Sequence, residues 1–526
     1  MSEKTRGQIV AADVSALLRA RNSLIWIVTR EEARVERLLI EAAAAANYVP
    51  RTWDVAQGIA DISGSPVTAM RDAQDPGAAL TMIGERAKGN ERGVWIMRDL
   101  PAWLEGAVGI TTMRQLRNLA RSLPGAPRES AQAVIILSPK SDVPAELAGH
   151  ATVIDWPMPD RAEIAAILDA AIEGLPDDLR ESAAPNGQRD AAIDAAVGLS
   201  GEEAQACYAR SLVQLRRIDP ALVASEKKRV VSRERVLEWY DPIKGGLDAV
   251  GGLDNLKAWL TVRKSAYSPA ARAYGLPAPK GAMLVGVPGC GKSLTAKAIA
   301  TAWSVPLLKV DLGALKSKFV GDSEANLRKV FKLIEAIGRC VVWFDEIEKA
   351  LQGATSGSAD GGVSSDALGA VLSWMQERQG EAFVIATAND VSALPPELLR
   401  KGRFDEVWFV DLPTFGERGA VLAAALRDHG RHTVTVDADK VAKATEGFTG
   451  SEIAAIVPDA LFAAFNDNAR EIETDDLIDA ARTVVPLSKT AAEKITKLRE
   501  WASGRARPAS AAEVVKLAAK GRALDI

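Results

Sequence analysis

Between Gly286 and Ser293 the chain reads Gly-Val-Pro-Gly-Cys-Gly-Lys-Ser, the pattern GxxxxGKS, at the end of the apolar run 282–287. Glycines at this spacing let backbone N–H groups turn inward, and a helix opening near Lys292 aims the positive end of its dipole at the same point. A glycine-rich turn alone is often only a turn; a strand before it and a Lys-Ser pair within it make it a phosphate cradle. The binding segment is Gly286, Val287, Pro288, Gly289, Cys290, Gly291, Lys292, Ser293 and Leu294. Lys292 is placed to reach β and γ phosphates, and the Ser293 hydroxyl to ligate Mg²⁺.

Three further groups could act on a phosphoryl centre. The run 341–344 ends in Asp345-Glu346: Asp345 holds Mg²⁺ beside Ser293, and Glu346 orients and deprotonates a water. Taken alone, the pair equally suits a strand ending in a solvated acidic turn. Asn389 follows the apolar run 383–387, where an uncharged amide can bond both the γ-phosphate and the water; a turn-forming Asn is the alternative. Arg400 and Arg403 present planar, permanently charged donors to a phosphoryl group, or else form a surface salt-bridge loop.

These groups need a scaffold that brings strand ends together. Short apolar runs separated by helical patterns predict an α/β fold with a parallel sheet, and such a sheet gathers its carboxyl ends at one edge. The first half shows the same alternation, with strands expected at 24–29, 94–97, 133–137 and 153–154 and a helix at 30–46. It echoes the second half three times in order. Pro144-Ala145-Glu146-Leu147 matches Pro395-Pro396-Glu397-Leu398; Ile154-Asp155-Trp156-Pro157 matches Val410-Asp411-Leu412-Pro413; and 198–203 (GLSGEE) matches 447–452 (GFTGSE). The halves read as a diverged repeat, the alternative being an unrelated α/β domain with similar turns. The first copy lacks the chemistry. Thr29-Arg30-Glu31-Glu32 stands in place of the phosphate loop, and its two carboxylates satisfy the helix dipole and repel phosphate. Asp99 is followed by Leu100 and Pro101, and Gly149 stands in place of Arg400.

Composition sets the outer bounds. At 526 residues the chain accommodates three or four folding units. With 65 Lys plus Arg against 69 Asp plus Glu it has no global basic field, which argues against nucleic acid as a partner. Cys207, Cys290 and Cys340 are far apart and fit a reducing compartment. Without an apolar leader or a run of eighteen apolar residues, the chain reads as cytoplasmic, with no membrane span.

Together GVPGCGKS, VVWFDE, ATAND and ELLRKGRFDE resemble the AAA clade of AAA+ ATPases over 248–485, with 249–253 (AVGGL) similar to that module's entry. LPPELLRKGRFDEVWFVDLP and RNSLIWIVTREEARVE are most similar to the family named for hypothetical chloroplast frame forty-six. The resemblance implies ATP as substrate with Mg²⁺, and a homo-oligomeric ring, a hexamer, with Arg400 and Arg403 acting as fingers on the neighbour's γ-phosphate. Lys318-Phe319-Val320-Gly321 matches the clade's first pore loop, where the aromatic grips a polypeptide; a core plug is the alternative for Phe319. The stretch 353–362 (GATSGSADGG) falls where a second pore loop is expected, and Lys401 departs from a proline common in the clade. Helices at 437–444, 451–465 and 474–484 would form a lid, without an arginine sensor at the start of its second helix. The expected organisation is a degenerate AAA-like module at 1–240, a linker opening at 241–246, a large ATPase subdomain at 241–420, a lid at 421–486 and a helical, basic tail at 487–526 with a capping box at Ser510 to Glu513. The function this implies is ATP hydrolysis coupled to remodelling or threading of an unknown protein client. A nucleotide-gated scaffold and, less favoured by charge, a nucleic-acid motor are the alternatives.

Overall fold

Runs of β-branched and aromatic residues supply the strands, and short helix-forming stretches between them supply the crossovers of a parallel sheet. The computed structural model describes residues 4–67, 73–176, 180, 188–232, 236–312, 323–351, 361–378, 380–392, 394–400, 402–431 and 436–511, and the chain divides into two units, Met1–Lys227 and Lys228–Ile526.

The first unit contains β1 (Leu24–Val28), β2 (Val49–Asp54), β3 (Gly58–Ala60), β4 (Gly93–Arg98), β5 (Gln132–Ser138) and β6 (Thr152–Asp155), in the order β3-β2-β4-β5-β1-β6. All pairings are parallel except that of β3 with β2. Every residue of β5 is buried, as the middle strand of a sheet covered on both faces requires. Helices α1 (Arg6–Arg19) and α2 (Glu32–Ala45) cover one face through Val14, Leu18, Val35 and Leu39. On the other, α3 (Pro76–Arg86) and α4 (Gly106–Ser122) pack Leu80, Ile83 and Leu116. The helical end of the unit holds α5 (Arg161–Glu173), α6 (Gln188–Ala196) and α7 (Gly201–Leu215), and the division between units falls within α8 (Pro220–Val231).

The second unit repeats the plan. Its strands are β7 (Leu237–Tyr240), β8 (Gly281–Gly286), β9 (Leu307–Val310), β10 (Val341–Phe344), β11 (Phe383–Ala388), β12 (Glu406–Val410) and β13 (Arg507–Pro508), in the order β13-β12-β8-β11-β10-β9-β7. Read from the antiparallel edge inward, β3-β2-β4-β5-β1-β6 in the first unit corresponds strand for strand to β7-β9-β10-β11-β8-β12 in the second. The echoes in sequence therefore sit on the same framework. Helices α9 (Asp254–Ser265) and α10 (Lys292–Trp303) pack one face, and α11 (Ser323–Ile337) and α12 (Gly361–Glu377) the other. Leu327, Val330, Phe331 and Ile334 of α11 form the buried stripe expected from their spacing. A lid of α13 (Phe415–Asp428), α14 (Ala438–Ala444), α15 (Gly450–Asn466) and α16 (Thr474–Thr483) has its own core around Leu422, Ile453, Val457 and Leu477.

Two boundaries differ from expectation. Residues 237–240, assigned from sequence to the first module, pair antiparallel with β9, so the units part near Lys227 and not at 240. The tail is not wholly helical: after α17 (Ala492–Ala502), β13 adds a parallel strand beside β12. Lys318 to Gly321, most of 353–362, Lys401 and the capping box beyond Ala511 lie outside the described residues. Among the described residues no helix is long and apolar enough to cross a membrane.

Candidate active site

The phosphate loop is built from backbone. At Gly286 any Cβ would collide with the Val410 carbonyl of β12, while Gly289 and Gly291 hold φ of 77° and 86°, the left-handed region that favours glycine. Gly291 is the N-cap of α10, so the helix N-terminus opens onto the loop. Lys292, 5 % exposed, folds its ammonium under the loop and donates to the carbonyls of Gly286 (2.8 Å) and Val287 (2.7 Å). Burial pulls that lysine down to about 8 and pushes the neighbouring Cys290 thiol up to about 11.

The ends of β10 and β11 complete the centre. The Ser293 hydroxyl donates to Asp345 Oδ1 at 3.0 Å, and the Thr387 hydroxyl donates to the same oxygen at 2.9 Å. Lys309 lies 3.5 Å from Asp345 Oδ2. Glu346 has a left-handed backbone, φ 45°, and its N–H is held by Thr387 Oγ1 at 2.9 Å. The Asn389 side-chain amide donates to Glu346 Oε1 at 2.8 Å, so the polarising carboxylate and the amide expected to share a water with it are in contact. Ser293, Asp345, Glu346, Thr387 and Asn389 line a cleft of about 510 Å³ together with Gly289, Gly291 and Lys292. Apolar residues also line the cleft, Val250 and Leu253 together with Val421, Ala424, Ala425 and Ala454 of the lid, beside the carboxylates of Glu417 and Asp428. A concave, largely apolar lining with a few convergent polar groups is what a small-molecule site needs.

The residues fit a magnesium nucleotide. Ser293 and Asp345 are hard oxygen donors, and Mg²⁺ takes one or two protein oxygens while phosphate and water supply the rest. Among the described residues no group of three or more His, Cys, Asp or Glu converges on a metal.

Arg400 and Arg403 stand apart from this set. Neither lines the cleft; Arg400 is exposed, and the Arg403 guanidinium donates to the Glu397 carbonyl. The lid's approach to the loop is through Ser451, whose N–H (2.8 Å) and hydroxyl (3.1 Å) both donate to the Gly289 carbonyl. Among the described residues no arginine lines the cleft. Sequence reading missed Thr387, Glu348 and Asp411. A threonine inside an apolar strand gives no signal by itself, and Asp411 becomes notable only because the tail's Arg499 clamps it in a bidentate pair.

In the first unit the corresponding turn is closed. Glu31, 4 % exposed, does not cap its own helix α2; its carboxylate accepts from the Gly201 N–H at the start of α7 and from Arg34, which also reaches Glu163 and the Pro157 carbonyl. Gly201 corresponds in the echo to Gly450, the lid residue at the second unit's cleft. The expectation that both carboxylates serve their own helix dipole is thus corrected for Glu31, which serves the dipole of another helix, while Glu32 lies in the first turn of α2. Arg98 ends β4 and is neutralised by Glu36 and Asp54.

Sheet order, phosphate loop and the paired strand-end carboxylates define an AAA-type ATPase module with a lid, preceded by a second module of the same strand order without the loop. Comparison with known families agrees: residues 282–412 match the ATPase family associated with various cellular activities (AAA), 435–479 the AAA+ lid domain, 10–156 the SpoVK-like AAA ATPase N-terminal domain and 162–234 its second domain. The "Uncharacterized AAA domain-containing protein ycf46" of Guillardia theta is 36% identical over 504 residues, covering 95% of this chain and 96% of its own length. The protein of that name from Trieres chinensis is 35% identical over 504 residues, with 95% and 98% covered. The chain belongs to this ycf46 family of AAA proteins. A partial likeness extends to the peroxisomal ATPase pex6 of Schizosaccharomyces pombe, 29% identical over 321 residues, 59% of this chain and 32% of that one.

Proposed function

We propose that the chain hydrolyses ATP with Mg²⁺ in a ring of like subunits, a hexamer, and uses the cycle to remodel or thread a protein client. In this reading Lys292 and the loop N–H groups hold the β and γ phosphates, while Ser293 and Asp345 hold the cation. Mg²⁺, when bound, neutralises charge on the phosphate oxygens. Glu346 takes a proton from the attacking water, and Asn389, bonded to Glu346 at 2.8 Å, keeps that carboxylate turned toward it.

The observation that carries the ring is the position of the two arginines: the cleft that gathers every other group of the set includes neither Arg400 nor Arg403. A finger supplied by a neighbour accounts for this, and such a group is worth on the order of a thousandfold or more in rate. Mixing Arg403→Ala chains with Lys292→Ala chains tests it, since each mixed interface can pair an intact cleft with an intact finger. Recovered hydrolysis supports shared sites; activity no higher than the sum of the parents rejects them. Threading rests on Phe319 and its neighbours Lys318, Val320 and Gly321, by resemblance. Phe319→Ala should hydrolyse ATP and fail to unfold a client; ATP-dependent assembly with no unfolding by the wild type would leave the scaffold role instead. The first module, with its loop position filled by Glu31, serves assembly or client docking. A compartment rich in ATP and reducing toward Cys207, Cys290 and Cys340, the cytoplasm, suits the whole.

A further inference from the structure

Beneath the cleft lies a carboxylate that the hydrolytic scheme above does not use. Glu348 follows the Asp345-Glu346 pair on the short helix Ile347–Leu351 and is 1 % exposed. Its Oε1 accepts the backbone N–H of Asn389 at 2.9 Å, and its Oε2 finds no hydrogen-bond partner among the described residues. A buried carboxylate with an unused oxygen is costly unless something needs its acceptor or its charge. Both have a recipient here. The acceptor fixes the end of β11 where Asn389 leaves the strand, and Asn389 in turn holds Glu346 Oε1 at 2.8 Å. Burial pushes the Glu348 carboxyl up, while the Asn389 N–H and the buried ammonium of Lys292 hold it down.

We propose that Glu348 is a positioning residue of the hydrolytic site: it sets where Asn389 stands, and through Asn389 the direction in which the Glu346 carboxylate faces. The inference rests on the ATPase reading of the cleft and deepens it. One chain of contacts, Glu348 to the Asn389 backbone and the Asn389 side chain to Glu346, ties the water-polarising group to a residue that does not line the cleft.

Two substitutions in the full chain separate this from a merely structural role. Glu348→Ala removes acceptor and charge; Glu348→Gln keeps an oxygen for the Asn389 N–H and removes only the charge. With Mg·ATP as substrate, Glu348→Ala should lower kcat by about ten- to a hundredfold, the range expected when a reacting group is misplaced by a fraction of an ångström to an ångström, with little change in KM. Glu348→Gln should recover most of that loss. Thermal unfolding and binding of a fluorescent ATP analogue accompany both variants. The inference is overturned if Glu348→Ala turns over like the wild type, if Gln is as impaired as Ala, or if the loss appears in nucleotide affinity and melting temperature and not in kcat. A wild-type chain that binds Mg·ATP and never hydrolyses it overturns the ATPase reading and this inference with it; an active wild type beside an unaffected Glu348→Ala overturns this inference alone.

Discussion

Glu346 is the residue on which chemistry and structure meet most directly. Its left-handed backbone is anchored to Thr387 and its carboxylate to Asn389, so a neutral isostere leaves the geometry intact. Glu346→Gln is expected to bind ATP as the wild type does and to hydrolyse it about a hundred- to ten-thousandfold more slowly, read by single-turnover kinetics beside equilibrium binding. Lys292→Ala should lose binding itself, since the ammonium is the buried cation of the loop. Cys290, in the same loop, has its thiol pushed up to about 11 by burial. At pH 7.5 about one thiol in a thousand or fewer is then thiolate, and alkylation by iodoacetamide in the native chain should be far slower than after unfolding. Rapid native modification of Cys290, mapped by mass spectrometry, would contradict that picture.

At the scale of elements, the two units solve one joint in two ways. In the second, the lid helix α15 meets the phosphate loop through the Gly289 carbonyl, which receives both donors of Ser451. In the first, the corresponding helix α7 meets a carboxylate, and Glu31, Arg34 and Glu163 form a buried ion network around it. Glu31→Ala leaves Arg34 and the Gly201 N–H short of a partner, a loss of about 3–5 kcal/mol for a broken buried pair. Hydrogen exchange should show the first-turn amides of α7 deprotected in that variant; unchanged protection would mean the carboxylate is incidental. Gly251 marks a second tight joint, because a Cβ there would lie 2.5 Å from the Val421 backbone nitrogen in α13. Gly251→Ala should wedge lid from sheet at about 1–3 kcal/mol and weaken nucleotide binding in the cleft.

For the whole molecule, the proposed assembly is tested through the dependence of activity on concentration. On the proposal that Arg400 and Arg403 act across a subunit interface, the chain should turn over slowly when dilute, and activity per chain should rise with concentration until assembly saturates. A constant specific activity across the assembly range, with sedimentation showing monomers, would place the fingers' role elsewhere. The balance of 65 basic against 69 acidic residues disfavours a nucleic-acid motor, and a steeply salt-dependent affinity for single- or double-stranded DNA would revive that reading.

The local geometry of the phosphate loop and of the strand before Asp345 was legible from the chain alone. GxxxxGKS needs particular backbone freedom at Gly289 and Gly291, and a strand ending in Asp345-Glu346 puts its charges at the sheet edge; both are properties of short segments. The repeat was readable as an echo, in the caps at Ser200 and Thr449 and in the turns before them, because each cap satisfies its own first-turn amides; strand order was not. The tertiary structure alone decided what depends on distant residues coming together. It made 237–240 a strand of the second sheet by giving its ladder a partner in β9, turned Glu31 toward α7, and set Glu348 under Asn389. A carboxylate's meaning lies in the donor it meets after folding, and across 170 positions between Glu31 and Gly201 no pattern of spacing announces that meeting.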